Sequence, residues 1–406
     1  MLFAPRIPAV ALLLGLAASF STPPAQAQKA ASEVLVSQSG SAPSAATDGH
    51  GGFVITWIGR GIDSSDILAS VLPKGAARPR APFVVNTSTS GYQVAPDVAV
   101  DAAGRFAMVW QDGLEFSGNG AGDARVAGAS FGAAGGRQSP GILLSPSGTD
   151  LQLGPQVAMQ ENGDYVAAWT EDRAPRHAIK SARFSANGSR LGPEMEMKAG
   201  GEINLGARVA SFPGGFAVGW SEFFDCSGGR TPAFIGAVAR FDTEGRRTAG
   251  IYRVGSSRCD FTGPGALLAL VGSRAGALAV FAGTQDAAQR FAPSGEPVVG
   301  RFLLPSQTCT ENHCTALQTV ALDNSGRFAA VWETADLGSY SLAVQLFNPR
   351  GKPLTGLVPL GGPPSQTFIE PAAALADDGT LAVAWRREIA GDSEHTGLYM
   401  TRLRLP

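Results

Sequence analysis

The sequence has little of what usually marks a chemical site. Only four histidines and four cysteines occur in 406 residues. There is no G-x-S-x-G elbow, no H-E-x-x-H pair, no phosphate-binding glycine loop and no dinucleotide fingerprint, which removes the reactions those motifs carry. Neither sign of charge is in excess: 32 basic residues stand against 34 acidic ones, a formal net charge of −2. Such a chain has no electrostatic attraction for nucleic acid or an anionic membrane. Beyond Ala27 no apolar run approaches the ~18 residues of a spanning helix, so no integral membrane segment is expected.

What is present begins with an address. Arg6 supplies a positive start, "IPAVALLLGLAASF" a short apolar core, and Ala25-Gln26-Ala27 a small-x-small ending. This is the pattern of a cleaved secretory signal over residues 1–27, with the mature chain beginning near Gln28. No cysteine follows the apolar core, so a lipid anchor is not expected. The expected location is secreted or periplasmic, with residues 28–406 as a single domain.

Repetition is the dominant signal. Seven copies of one strand-like heptapeptide recur: "GGFVITW", "GRFAMVW", "GDYVAAW", "GGFAVGW", "GALAVFA", "GRFAAVW" and "GTLAVAW". They place all six tryptophans, Trp57, Trp110, Trp169, Trp220, Trp332 and Trp385, at one phase of the repeat. The fifth copy carries Ala282 at that phase, with Phe281 beside it. Each unit holds four apolar runs of strand length, separated by turns such as "DAAG" and "FSANGSRLG" whose glycines supply positive φ. Seven units of four antiparallel strands, apolar on both faces, predict an all-β, seven-bladed β-propeller. The last unit stops one strand short. Glu33–Ser37 has the sequence of an outer strand and is predicted to close the ring beside Leu398–Leu405, removing two open edges. The tryptophans are then blade-to-blade packing residues.

The stretch "VVNTSTSGYQVAPDVAVDAAGRFAMVWQD" (84–112) resembles the repeat of secreted bacterial β-propeller proteins, V-N-x-x-x-x-x-x-Q-x-x-P-x-V-A-x-D-x-x-G-x-F-x-V-x-W. The resemblance covers nearly all of the mature chain and implies a scaffold and an exported location, not a chemistry.

In such a ring the turns after strands one and three share one face. Here they are minimal hairpins, with too few oxygens for the six to eight ligands of calcium, and read as structural turns. They also depart from the Asp-box of sialidases, which needs a serine two residues before its aspartate. The opposite face carries the long loops, where a rigid scaffold displays function. Acidic residues follow the tryptophans closely there: Asp112, Glu171, Glu222, Glu333 and Glu388, with Arg386 interspersed. They form a candidate binding rim, the other reading being a solvated loop face. Cys226, Cys259, Cys309 and Cys314 fall on the same face and suggest two disulfides, Cys226–Cys259 and Cys309–Cys314. Zinc held by Cys309, His313 and Cys314 is the alternative and lacks a fourth ligand. No cofactor or metal is implied, and the chain is expected to be a monomer. Without a catalytic signature, the functional expectation is an exported, non-catalytic propeller that recognises a glycan, a peptide or a protein partner. The alternative is a secreted hydrolase of glycan or ester bonds with its site at the central channel.

Overall fold

The structure, a computed structural model, describes residues 33–60, 65–89, 91–113, 124–145, 150–173, 176–197, 203–224, 233–254, 264–283, 286–305, 308–309, 313–336, 339–360, 367–389 and 396–406. The predicted signal of residues 1–27 lies outside them. Among the described residues no helix is long and apolar enough to cross a membrane.

These residues form seven antiparallel sheets arranged as the blades of a propeller. The innermost strands, blade 1 to blade 7, are Ser41–Thr47, Gln93–Val100, Leu151–Met159, Ile203–Phe212, Pro264–Ser273, His313–Leu322 and Thr367–Leu375. The second strands are Phe53–Arg60, Phe106–Asp112, Tyr165–Arg173, Gly215–Phe224, Gly276–Gly283, Phe328–Asp336 and Thr380–Glu388. The ring closes as predicted. Val34–Ser37 is the outermost strand of blade 7, with Val34 opposite Met400 and Leu35 opposite Tyr399 in the third strand, Gly397–Arg404. Arg387 fixes the seam: it donates to Glu33 at 2.6 Å, and its guanidinium lies 3.5 Å from the centre of the Tyr399 ring.

Both faces of each sheet are apolar because both are covered by neighbouring blades. Trp57 packs with Leu398 and Met400 of blade 7, Trp110 with Ile67 and Ala69 of blade 1, and Trp169 with Val126 and Leu144 of blade 2. All six tryptophans are buried. At the other end of the second strand a phenylalanine stacks on the third strand: Phe106 on Phe131, Phe216 on Phe241 and Phe328 on Phe347, with ring centres 5.0, 5.0 and 4.9 Å apart.

In blades 2 and 6 the corner after the first strand is built by an Asp-x-x-Gly-Arg pattern. Asp101 accepts the amides of Ala103 and Arg105 on one oxygen, both at 2.9 Å, and Arg105 Nε on the other at 2.7 Å. Asp323 repeats this with Ser325 and Arg327. Gly104 and Gly326 take the positive φ that the turn needs, 77° and 84°. Each acid is consumed by its own turn, as the structural reading of these hairpins requires.

Blade 5 corrects the sequence alignment. Phe281, not Ala282, occupies the tryptophan place: it lies between Leu267 and Ala287, as Trp332 lies between Leu317 and Ala343. Gly276 is the first paired residue of its strand, as Gly215 is in blade 4, but blade 5 has Ala275 where blade 4 has Gly214. Aligning the blades on their glycines therefore slips by one residue. Phe281 is fully buried in the gap against blade 4, with Val238 and Val254.

One cysteine pair falls within the described backbone. The short strand Thr308–Cys309 adds to blade 6, and its register sets Cys309 opposite Cys314. Cys226 and Cys259 lie outside the described residues.

Phe281→Ala should destabilise the ring by about 3–5 kcal/mol, as much as Trp220→Ala, because each leaves a large cavity in an interblade core. Urea denaturation measures this, and a loss below about 1 kcal/mol would reject the equivalence of Phe281 with the tryptophans.

Candidate active site in the central channel

Each innermost strand carries a β-bulge opposite the buried aromatic. In blade 2, Val94 faces Gln111 and Asp97 faces Val109, so Ala95 and Pro96 together oppose Trp110. The same count recurs in blade 1 with Ala42 and Pro43, in blade 3 with Gly154 and Pro155, and in blade 7 with Glu370 and Pro371. The first bulge residue is left-handed, with φ of 46° at Ala42, 49° at Ala95, 56° at Gly154, 66° at Gly206 and 57° at Glu370. Proline follows because a bulge tolerates a residue with no amide hydrogen to offer the ladder. The Q-x-x-P of the sequence repeat is the signature of this bulge.

The residue after the bulge pairs with the one preceding the aromatic, which gives seven equivalent positions around the channel. They are Ser44, Asp97, Gln156 and Arg208 in blades 1 to 4. In blades 5 to 7 they are Ala269, Thr319 and Ala372. Polarity is thus concentrated in one arc, although the fold is the same throughout. The channel beside it, about 240 Å³, is lined by Asp97 and Gln156 of that arc and by Val98, Val157, Val209, Val271 and Val320.

Asp97 is the distinctive member. Its carboxyl is half-buried on the channel wall, accepting from Ser44 Oγ at 2.7 Å and from the Val157 amide at 2.8 Å. Enclosure by protein atoms pushes its pKa up from 3.8 to about 6, against the lowering effects of those hydrogen bonds and of Arg208 through space. Arg208 is held by two backbone carbonyls, Nε to Leu268 at 3.3 Å and Nη1 to Ala207 at 3.1 Å. Glu370, in blade 7, is exposed, and its Oε2 takes the Ala42 amide at 2.6 Å. Glu370 and Asp97 therefore flank the innermost strand of blade 1.

The opposite mouth of the channel is a wider cavity of about 590 Å³, ringed by the hairpin corners of all seven blades. Its carboxylates are engaged: Asp101 and Asp323 by their turns, Asp377 by Asn324, and Glu161 by Arg274 at 2.8 Å. Blade 3 supplies Glu161 and blade 5 supplies Arg274, so this pair joins non-adjacent blades. Among the described residues no three His, Cys, Asp or Glu side chains could hold a metal ion.

The acidic residues that follow the tryptophans end second strands and have partners within the fold. Asp112 accepts from Gln93 at 3.0 Å. Glu171 lies 3.7 Å from Lys180, which also holds Glu194 and Glu196. Glu222, fully buried, takes Arg253 on both oxygens at 2.9 Å and the Trp220 indole at 3.3 Å. Arg386 and Glu388 bond to each other. Glu333 is half-buried, and burial raises its pKa. The structure brings Arg386 and Glu388 together and leaves the other four on separate blades. The loops beyond them, including 114–123, 225–230 and 390–395, lie outside the described residues. Sequence reasoning missed Asp97, Arg208 and Glu370. Their signal was a polar residue beside the bulge proline, or, for Arg208, beside the Ala207 that stands in that proline's place, in otherwise apolar strands.

No family model matches the sequence, and no curated protein does. Among solved structures, the chain is similar to an α-L-arabinofuranosidase from Fusarium graminearum bound to an iminosugar inhibitor, at 9% identity, over 93% of this chain and 98% of that one, with a TM-score of 0.51. An α-L-arabinanase from Penicillium chrysogenum with arabinobiose gives 11% identity, 93% and 98% coverage and a TM-score of 0.48. A protein of unknown function from Dyadobacter fermentans gives 9%, 94%, 100% and 0.48. At such identity the likeness is one of fold. The first of these corrects the non-catalytic expectation: an enzyme with this ring matches the chain from end to end, so the lack of a contiguous catalytic motif does not mark a propeller as a mere binder.

Proposed function

We propose that the protein is a glycoside hydrolase working at the polar end of its central channel, with Asp97 as proton donor. One observation carries the reading: a half-buried carboxyl on the channel wall, bonded to a hydroxyl and an amide and, among the described residues, to no cation, where burial pushes its pKa up to about 6. A general acid needs a pKa close to its working pH, and glycoside hydrolysis needs one such acid and a second carboxylate. In the reaction the bond from the anomeric carbon to the leaving oxygen breaks, and Asp97 gives its proton to that oxygen. Water adds its oxygen to the anomeric carbon, and the water proton goes to the second carboxylate. Glu370 is assigned that part, since it flanks the same strand from the other side and is exposed. Its left-handed φ is shared with Ala42 and Ala95, so the bulge selects the conformation; the carboxylate there is particular to blade 7.

The fold shared with an arabinofuranosidase supports trying arabinofuranosides first, within a panel of neutral and acidic aryl glycosides. The signal-like residues 1–27 and the opposed Cys309 and Cys314 support work in an oxidising compartment outside the cytoplasm, with Cys309–Cys314 as a disulfide. Opposed strand residues have Cα atoms about 4.5–5.5 Å apart, within the reach of a disulfide.

Asp97→Asn should lower kcat about 10²–10⁴-fold while the circular dichroism spectrum stays that of the parent. An active Asp97→Asn protein would remove the assignment. The rate should fall as pH rises through about 6, where Asp97 loses its proton, and Arg208 is the charged group acting on it.

Asp97 also leaves a thermodynamic trace that needs no substrate. Its folded pKa is raised, so between 3.8 and about 6 the native state holds a proton that the unfolded state has released. Stability should therefore fall as pH rises through that window. Urea midpoints across the window should lose this component in Asp97→Asn.

A further inference from the structure

We infer that Arg208 makes the polar end of the channel a reader of acidic sugars, so that the glycan bound there carries a carboxylate. The inference rests on the hydrolase reading for its glycan and on Arg208 for its charge.

Arg208 stands at the same register as Asp97 and Gln156, closing the polar arc at blade 4. It is half-buried, and loss of solvent pulls its pKa down. Its two protein acceptors are neutral carbonyls, which occupy Nε and one hydrogen of Nη1. Among the described residues it has no salt bridge, and Nη2 has no acceptor. Other enclosed arginines differ. Arg105, Arg240, Arg327 and Arg387 each hold a carboxylate. Arg183 and Arg290 also bind carbonyls alone, and each, like Arg208 with Leu268, bonds one carbonyl in the next blade, but they do so at the corners. Arg208 is the one beside the channel carboxyl.

A guanidinium with an unused edge in a confined polar site is matched by a planar anion that accepts two parallel hydrogen bonds. The carboxylate of a uronic acid has that shape. The facing groups do not oppose it: Ser44 and Gln156 are neutral, and Asp97 keeps its proton below about pH 6. The remaining carboxylate, Glu370, is on blade 7, across the ring from blade 4.

The test compares binding of a galacturonic acid trimer with that of its fully methyl-esterified form, by calorimetry below pH 6, using the full chain and its Asp97→Asn variant so that turnover does not intrude. The free acid should bind roughly tenfold or more tightly than the ester. Arg208→Gln should bring the two within about twofold, and Arg208→Lys should keep only part of the preference. Should Arg208→Gln not fold, the parent protein still decides: the preference must shrink as salt is raised. Equal affinities, no binding of the acid, a preference retained in Arg208→Gln or one indifferent to salt would each overturn the inference. A preference without hydrolysis would sink the hydrolase reading and leave the acid reader. Asp97-dependent hydrolysis without a preference would do the reverse.

Discussion

The insertion of one large aromatic ring from each second strand into the gap against the preceding blade is the contact on which the rest of the structure depends. It is made by six tryptophans and by Phe281. A ring of that size opposite the innermost strand requires two residues where a regular ladder has one, and the bulge follows. The bulge explains the left-handed residue and the proline, and it defines the position after them. Packing of the blades and chemistry at the channel thus share one local distortion.

Charge is used differently at different radii. Two residues beyond the aromatic, Asp112, Glu171, Glu222 and Arg387 meet Gln93, Lys180, Arg253 and Glu33 within the fold. Pairs of this kind contribute less to stability than to registration, because desolvation offsets much of the Coulomb gain. On the corner face arginines reach across blade boundaries, Arg240 to Gly295 and Arg327 to Pro406. In the channel arc Asp97 has a hydroxyl and an amide as partners, and Arg208 has carbonyls, one of them in blade 5; among the described residues neither is in a salt bridge. Ionisable groups left without a dedicated counter-ion inside a satisfied scaffold are the ones available to a ligand.

The architecture was legible in the sequence because it is periodic. The tryptophan phase gave the blade count, and the outer-strand character of Glu33–Ser37 gave the closure now seen at Met400 and Tyr399. The fifth blade misled because Ala275 replaces the corner glycine, so that aligning on Gly276, the next residue, shifts the frame without shifting the packing. The channel site was not legible. Its groups come one from each blade, Asp97 and Arg208 lying 111 residues apart, so no local motif can contain them. The acids after the tryptophans recur and so stand out in the sequence; the channel residues differ from blade to blade and do not. In a repeat protein the scaffold is what recurs, and a ligand is met where equivalent positions diverge. The same reasoning removes the force of the missing catalytic motif.

The closing strand has a consequence for the order of events in synthesis. Val34–Ser37 is made before every other strand of the ring, yet its partner Gly397–Arg404 is made after them. No intermediate of elongation can hold a closed ring. Until the end, blade 7 is incomplete, and the early strand waits as an unpaired edge with Leu35 uncovered, open to pairing with other chains. The Arg387–Glu33 contact, stacked on Tyr399, then works as a clasp fastened after the last strand of the ring has been made. A fold whose stability is spread evenly over seven gaps therefore has its kinetic risk gathered at one.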